Sequence, residues 1–388
     1  MFTFNFEDYK KPKYSEIGEF HEGLACVRDR ETSLCGYIDK TGQEVIPCLY
    51  LDAGDFSDNL APVETASGYG YIDREGIMAI YPSFKTARAF TNGLAVVQSV
   101  DGYWGYIDKN GTNVLEQIPR EGLPFQENKA LFSLDEEESY CYDGKRTRSI
   151  KGQWITPFSE GFAVLKRHGL YCIVNEDLEV VHREEASAMK EVGPCKDGLF
   201  RLVSNAGRVA YLNLNFEPQI PFMYKSGRDF REGKAFIQLS NDVIGFVDIE
   251  GRATAFMKNI QYTEIGDYHD GRALVKSSKG CGYLDTDSKE CIPCRFNAAS
   301  SFSEHLAGVF DGENFSYIDA TGAVSIALPY TYYSELTFNG QKHILKAESE
   351  AGLYRCKERT LKKIRETIIR ELDRGIAATL DEEAKKLN

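Results

Sequence analysis

The residues best placed for chemistry form a column of acids and amides that recurs along the 388-residue chain. Asp39, Asp73, Asp108, Asp143, Asp248, Asp285 and Asp319, with Asn175 and Asn213 in the same place, each follow a short apolar run. Such a series could hold cations or move protons. Calcium, however, takes several oxygen ligands from one loop, and D-K-T-G or D-R-E-G offers too few. Asp and Asn in one column are turn openers, whose side chains bond their own backbone. The column therefore reads as turn chemistry.

Ten cysteines stand singly except for Cys291-Ile-Pro-Cys294, with Cys281 ten residues earlier. A structural zinc site takes four ligands, and no second C-x-x-C or nearby H-x-x-x-H supplies them. CIPC also occupies the position of VIPC at 45–48, so these thiols read as core residues in a valine-like slot. The six histidines (21, 168, 182, 269, 305 and 343) are scattered. There is no nucleophile elbow, no phosphate-binding G-x-x-x-x-G-K-[ST] loop and no H-E-x-x-H. The expectation is a protein that is not an enzyme, with no catalytic, cofactor-binding or metal-binding residue. One charge reversal stands out: LDEEES at 134–139 precedes Lys145, Arg146, Arg148, Lys151 and then Trp154. These five residues are the candidate partner-binding site, with Trp154 as aromatic anchor for an acidic partner. The alternative is adjoining loops that neutralise each other, with Trp154 in the core beside Ile155 and Pro157.

The elements that position these residues come from a repeat. The segment FHEGLACV at 20–27 returns as FSDNLAPV at 56–63, FTNGLAVV at 90–97, FSEGFAVL at 158–165, FREGKAFI at 230–237 and FSEHLAGV at 302–309. Weaker copies start at 125, 195 and 268, and a degenerate tenth at Phe338, with spacings of 33 to 38 residues throughout. A second block follows each anchor, as in CGYID at 35–39, YGYID at 69–73 and WGYID at 104–108. A third precedes it, with Tyr14, Tyr50, Phe84, Tyr224, Tyr262, Phe296 and Tyr332 six residues upstream.

These units, F-x-x-G-L-A-x-V, W-G-Y-I-D-x-x-G and V-I-P-x-x-Y, resemble the WG (KWG) repeat proteins of bacteria, over roughly residues 14–356. The Trp-Gly pair survives once, as Trp104-Gly105; its Trp column elsewhere holds Cys35, Tyr69, Tyr171, Ile244, Cys281 and Phe315. The resemblance implies a binding role and brings no catalytic residues with it.

Alternating small and apolar residues, rich in Val, Ile and Tyr, make each block a strand, and the D-x-x-G link a hairpin. The expected fold is an all-β repeat protein. Nine to ten tandem units of three antiparallel strands, occupying 1–356, form either a propeller-like ring or an open superhelical array. Residues 2–7 are expected to pair near 341–356, where QKHILKA and GLYRC read as strands, and so to close a ring; the alternative leaves the array open. Apolar residues at 361, 364, 368, 372, 376 and 380 mark a C-terminal helix over 357–388 that caps the array or dimerises it.

Composition narrows the function. With 46 Lys+Arg against 59 Asp+Glu the net charge is −13, which argues against counterion-releasing contact with nucleic acid. At 42% hydrophobic the chain can bury a core, yet no stretch reaches the length of a membrane span. MFTFNFEDYKKPKY lacks the apolar core of a secretory signal, so a cytoplasmic setting with reduced thiols is expected. The expected function is a non-catalytic cytoplasmic binding scaffold for a protein partner, with neither nucleic acid nor membrane as partner. The alternatives are glycan or small-ligand recognition by aromatic residues, and a homodimer assembled through the C-terminal helix.

Overall fold

The computed structural model describes residues 6–115, 121–134, 138–240, 243–258, 261–338, 341–364, 366–367 and 370. It is nearly all β, built of small antiparallel sheets, with one helix towards the C-terminus. Two compact parts are distinct: residues 14–327, and the residues up to 13 together with those from 328 onward.

The anchor motif folds as a two-residue hairpin turn with both central residues left-handed. Glu22 and Gly23 have φ of 52° and 79°, and the same pairing of left-handed residues recurs at 58–59, 92–93, 127–128, 160–161, 197–198, 232–233, 270–271 and 304–305. Such turns twist as the flanking strands do, and Gly, Asn and Asp tolerate them best. On either side run strands such as Tyr14–His21 and Leu24–Asp29, followed by Cys35–Asp39 and Glu44–Tyr50 in simple meander order. The expected three-stranded unit is thus corrected to four strands. The crossover residues are themselves a strand: Asp52–Ala53 pairs with Val63 and Glu64, because the backbone groups of a crossover packed against a sheet need partners. In one place two repeats merge: the ten-residue strand Met78–Ala87 pairs on both sides within a six-stranded sheet.

The glycine of C-G-Y-I-D has a local cause. Opposite it, the outermost strand slips register at the I-P step and presses its backbone onto the sheet. A Cβ at Gly282 would lie 2.5 Å from the Ile292 carbonyl oxygen and 2.6 Å from the Cys294 nitrogen; at Gly36 the nearest atom, the Ile46 oxygen, is 2.5 Å away. The prolines at that step (Pro47, Pro221 and Pro293) deny a donor to the exposed sheet edge, which discourages edge-to-edge association. At Gly105 the nearest atom to an added Cβ is 3.5 Å away. Gly282→Ala is therefore expected to destabilise by about 1–3 kcal/mol, and Gly105→Ala to be nearly neutral, as read by urea denaturation.

Hydrophobic cores lie between consecutive repeats. One joins Leu24, Tyr37 and Ile46 of the first repeat to Phe56, Val63 and Ile72 of the second. Where the G-Y-I-D column keeps its tyrosine, that residue pins the junction; the fourth, fifth and seventh repeats hold Cys141, Ile173 and Phe246 there. Tyr37 donates its hydroxyl to the Gly54 carbonyl (2.7 Å), Tyr71 to Arg88 (2.8 Å), Tyr211 to Arg228 (2.7 Å) and Tyr283 to Ser300 (2.7 Å). Each of these rings meets the next anchor Phe edge-on, as Tyr71 meets Phe90 at 4.8 Å between centroids. In the last sheet of this part, Tyr317 donates to the Gly18 carbonyl (2.8 Å) and its ring lies 4.7 Å from Phe20. The last sheet thus meets the first through the contact that joins its neighbours.

A second set of junction contacts runs through the anchor turns, and the sequence reading passed over it. The residue after the first turn position is acidic in eight of nine copies, and it accepts amide protons from the next anchor turn. Glu22 takes Asn59 (2.9 Å), Asp58 takes Gly93 (2.6 Å), Glu160 takes Asp197 and Gly198, Glu232 takes Asp270 and Gly271, and Glu304 takes Gly23 (3.0 Å).

The other compact part corrects the expectation for the termini. Phe6–Pro12 pairs antiparallel with Tyr330–Phe338, and Gln341–Ala347 lies on that strand's far side. The N-terminal strand therefore reaches 330–338 rather than 341–356, and residues 2–5 lie outside the described residues. GLYRC is not a strand: helix begins at 350, ahead of the expected 357. Leu353 is buried, Lys357 pairs with Asp8, and Leu361 and Ile364 are half-buried, so this stretch of the apolar stripe lies on the side packed against its own sheet. Of the expected stripe, 368, 372, 376 and 380 lie outside the described residues.

Candidate functional site

The repeated acids are fully engaged in turns. The Asp39 carboxylate accepts the Thr41 amide (2.8 Å), the Thr41 hydroxyl (2.6 Å) and the Gln43 amide (3.1 Å). Asn175 and Asn213 do the same for the amides two and four residues on. Hydrogen bonds from Thr41 and its neighbouring amides hold the Asp39 carboxyl below the ordinary range, and Asp319, with Thr321, behaves alike. Asp39 and Asp319 are thereby held ionised with their oxygens occupied, a poor arrangement for an acid or a base at neutral pH.

Most of the thiols sit where burial works against ionisation. The exception is Cys35, which a hydrogen bond from Cys26 and the nearby Arg28 hold below the ordinary thiol value, although its side chain is buried. Burial pushes Cys141 up to about 11, and raises Cys172, Cys281, Cys291 and Cys294. A nucleophilic cysteine needs the opposite shift. Cys291 contacts the Tyr283 carbonyl (3.3 Å) and Cys294 the Glu290 carboxylate (3.9 Å), so the C-x-x-C pair faces separate partners. Among the described residues, no group of three or more His, Cys, Asp or Glu could hold a metal ion.

The structure divides the five candidate partner-binding residues. Lys145 and Arg146 are exposed on the turn that Asp143 opens, and Lys151 is exposed at the end of the strand Thr147–Lys151. Arg148 is a structural contact: its guanidinium donates to the Glu176 and Asp177 carbonyls of the next repeat (3.0 and 3.2 Å). Trp154, the candidate aromatic anchor, takes the alternative core position: it is buried with Phe158, and its Nε1 donates to the Tyr140 carbonyl (3.1 Å). The reason is positional: Trp154 lies on the crossover strand Gln153–Trp154, whose inward side faces the junction.

The sequence reading missed a concentration of exposed apolar side chains. Of seventeen large hydrophobic residues exposed among those described, seven fall between 45 and 103: Val45, Leu49, Leu51, Ile77, Tyr81, Val100 and Tyr103. Tyr81 is 78% exposed and Val100 69%, far beyond what a lightly covered core residue shows. Their signal was present as alternation: Leu49 precedes buried Tyr50, and Tyr81 follows buried Ile80, on strands with one face inward.

Comparison with known proteins agrees with the repeat. Residues 11–31, 36–66, 69–104 and 282–314 match the family described as WG containing repeat. No curated protein matches the chain in sequence. Similar solved structures include BamB from Moraxella catarrhalis (13% identity, 72% of this chain and 99% of that one, TM-score 0.39). AztD from Citrobacter koseri, in its apo form, is 9% identical over 83% of this chain and all of its own, with a TM-score of 0.38. The C-terminal WD40 domain of Sif2 is 11% identical over 73% of this chain and 98% of its own, with a TM-score of 0.41.

Proposed function

We propose that this chain, a WG repeat protein, is a non-catalytic binding scaffold that presents the surface of its first three repeats to a protein partner. The observation that carries the reading is the run of exposed apolar side chains between 45 and 103, in a chain whose acids and thiols are otherwise tied into turns and cores. Seven large apolar side chains exposed within three repeats are a concentration the rest of the described residues do not match, and exposed apolar surface of this kind is what an interaction site uses. Supporting it is the division of labour in each repeat: Tyr, Phe, Gly and Asp columns hold the frame, which leaves edge and loop positions free to vary.

We further propose that residues 14–327 form a closed ring of nine units. The Tyr317–Gly18 hydrogen bond and the Glu304–Gly23 contact support this, since both repeat a junction seen between sequential neighbours. A closed ring is a rigid platform without free sheet faces at its ends.

The test is capture of partners from native-host lysate on the full chain beside two variants. The first is Leu49→Asp/Tyr81→Asp/Tyr103→Asp; the second is Lys145→Glu/Arg146→Glu/Lys151→Glu, which spares the structural Arg148. A protein retained in stoichiometric amount by the native chain and lost by the first variant, with its melting temperature kept, is the expected result. Loss only in the second variant moves the site to the basic turn. No retained protein at low salt overturns the scaffold reading.

A further inference from the structure

A cavity of about 540 Å³ opens between the sheets at 226–258 and 264–296, reaching the strand Ala298–Ala299 of the next. Its apolar walls include Phe236, Ile244, Ile265, Leu274 and Cys281, and its charged groups are Arg228, Lys276 and Glu264. Its origin can be read against the third repeat. There Arg88, two residues before the anchor Phe90, lies over the ring of Trp104, fourteen residues after it, at 5.6 Å from the centroid. In the seventh repeat the same offsets from Phe230 give Arg228 and Ile244. The arginine is retained and the large ring is not. Arg228 instead stacks over Phe236 (5.0 Å) and pairs with Asp267 (3.0 Å).

The next repeat compounds the gap, because Cys281 stands in the same column. A small residue there need not leave a space. In the first repeat the column holds Cys35, but Arg28 spans the junction, bonding Glu16, Asp52 and the Ser33 and Leu51 carbonyls. In the eighth repeat the position of Arg28 is taken by Lys276, whose one ion pair, to Glu264 at 3.4 Å, joins two well-exposed side chains. The cavity is thus a place shaped for an aromatic ring, with two cations on its wall, Arg228 held by Asp267 and Lys276 by the well-exposed Glu264.

We infer that this cavity binds a small planar aromatic carboxylate, its ring taking beside Arg228 the place that the Trp104 side chain holds beside Arg88, and its carboxylate meeting Lys276. Guanidinium–ring stacking and a charge-assisted hydrogen bond supply the recognition. The volume admits one bicyclic ring with a short acidic arm, in the size range of small-ligand sites. This inference does not depend on the scaffold reading.

The test is calorimetric titration of the full chain with indoleacetate, indole and cyclohexylacetate. Indoleacetate is expected to bind with a Kd below about 1 mM, and the other two roughly tenfold more weakly, one lacking the charge and the other the aromatic face. Lys276→Met should remove the preference for indoleacetate over indole. Ile244→Trp should fill the place and weaken indoleacetate at least about tenfold, which is at least 1.4 kcal/mol. No saturable binding by the native chain, equal binding of cyclohexylacetate, or unchanged affinity in a folded Ile244→Trp protein overturns the inference. Should that variant fail to fold, Lys276→Met and Arg228→Gln decide, and unchanged affinity in both overturns it.

Discussion

Tyr317→Ala is expected to lose roughly 3–5 kcal/mol of stability, as much as Tyr71→Ala, although Tyr71 joins sequential neighbours and Tyr317 joins the last sheet of residues 14–327 to the first. Both rings are fully buried, and both donate to a backbone carbonyl of the adjoining repeat. The single variants alone would not separate a closed ring from an open one, because Tyr317 also packs within its own sheet. The coupling does. In double-mutant cycles, Tyr71 with Phe90 and Tyr317 with Phe20 should each show an interaction of about 0.5–1.5 kcal/mol. Their centroid separations, 4.8 and 4.7 Å, give no reason for the two to differ. A coupling near zero for Tyr317 and Phe20, beside a normal one for Tyr71 and Phe90, would show that the ring stands open in solution.

That junction also shows what the sequence made legible. The repeat could be read because each column answers to one physical demand that recurs at most of the junctions. The anchor Phe fills the junction core, the Asp opens a turn, and the glycine lies under a pressing edge strand. The crossover escaped as a strand because it is as short as Asp52–Ala53, too short for alternation to register. The terminal pairing was half legible: Phe6–Pro12 does join the C-terminal strands, but Tyr330–Phe338, long enough to take partners on both edges, stands between it and 341–347.

The acidic turn column was visible as letters, yet its role was not. A carboxylate at a left-handed turn position reads as ordinary turn chemistry, and only the next repeat's amides reveal it as a junction contact. Trp154 stayed open between anchor and core for a related reason. Residue type suggested an anchor, but burial was decided by the side of the crossover strand on which it falls. The candidate surface at 45–103 and the cavity beside Arg228 both depend on which sheets are neighbours, and a single repeat does not carry that.

The turn acids make a second large effect measurable. Thr41 with its amides, the amides of Asn314 and Glu313, and Thr321 with its amides hold Asp39, Asp311 and Asp319 below the ordinary carboxylate range. For Asp143, Asp248 and Glu304 burial pulls upward but is outweighed, by the Arg146 and Lys145 amides, by Arg252, and by Lys40 with the Gly23 amide respectively. A carboxyl depressed in the folded state stabilises fully above its unfolded pKa, about 3.9 for Asp and 4.3 for Glu. That stability is lost as pH falls through the folded value. Melting should therefore be nearly flat from about pH 8 to pH 5 and fall by roughly 10 °C or more by about pH 3. The chain itself supplies the control. Asn175 and Asn213 make the amide contacts of Asp39 and Asp319 with no charge to titrate, so Asp39→Asn/Asp319→Asn should fold. In that variant the acid limb should be shallower than in the native chain. Superimposable melting–pH profiles for the two proteins would mean that these turns do not hold their acids ionised to any useful degree, and that the acid limb arises elsewhere.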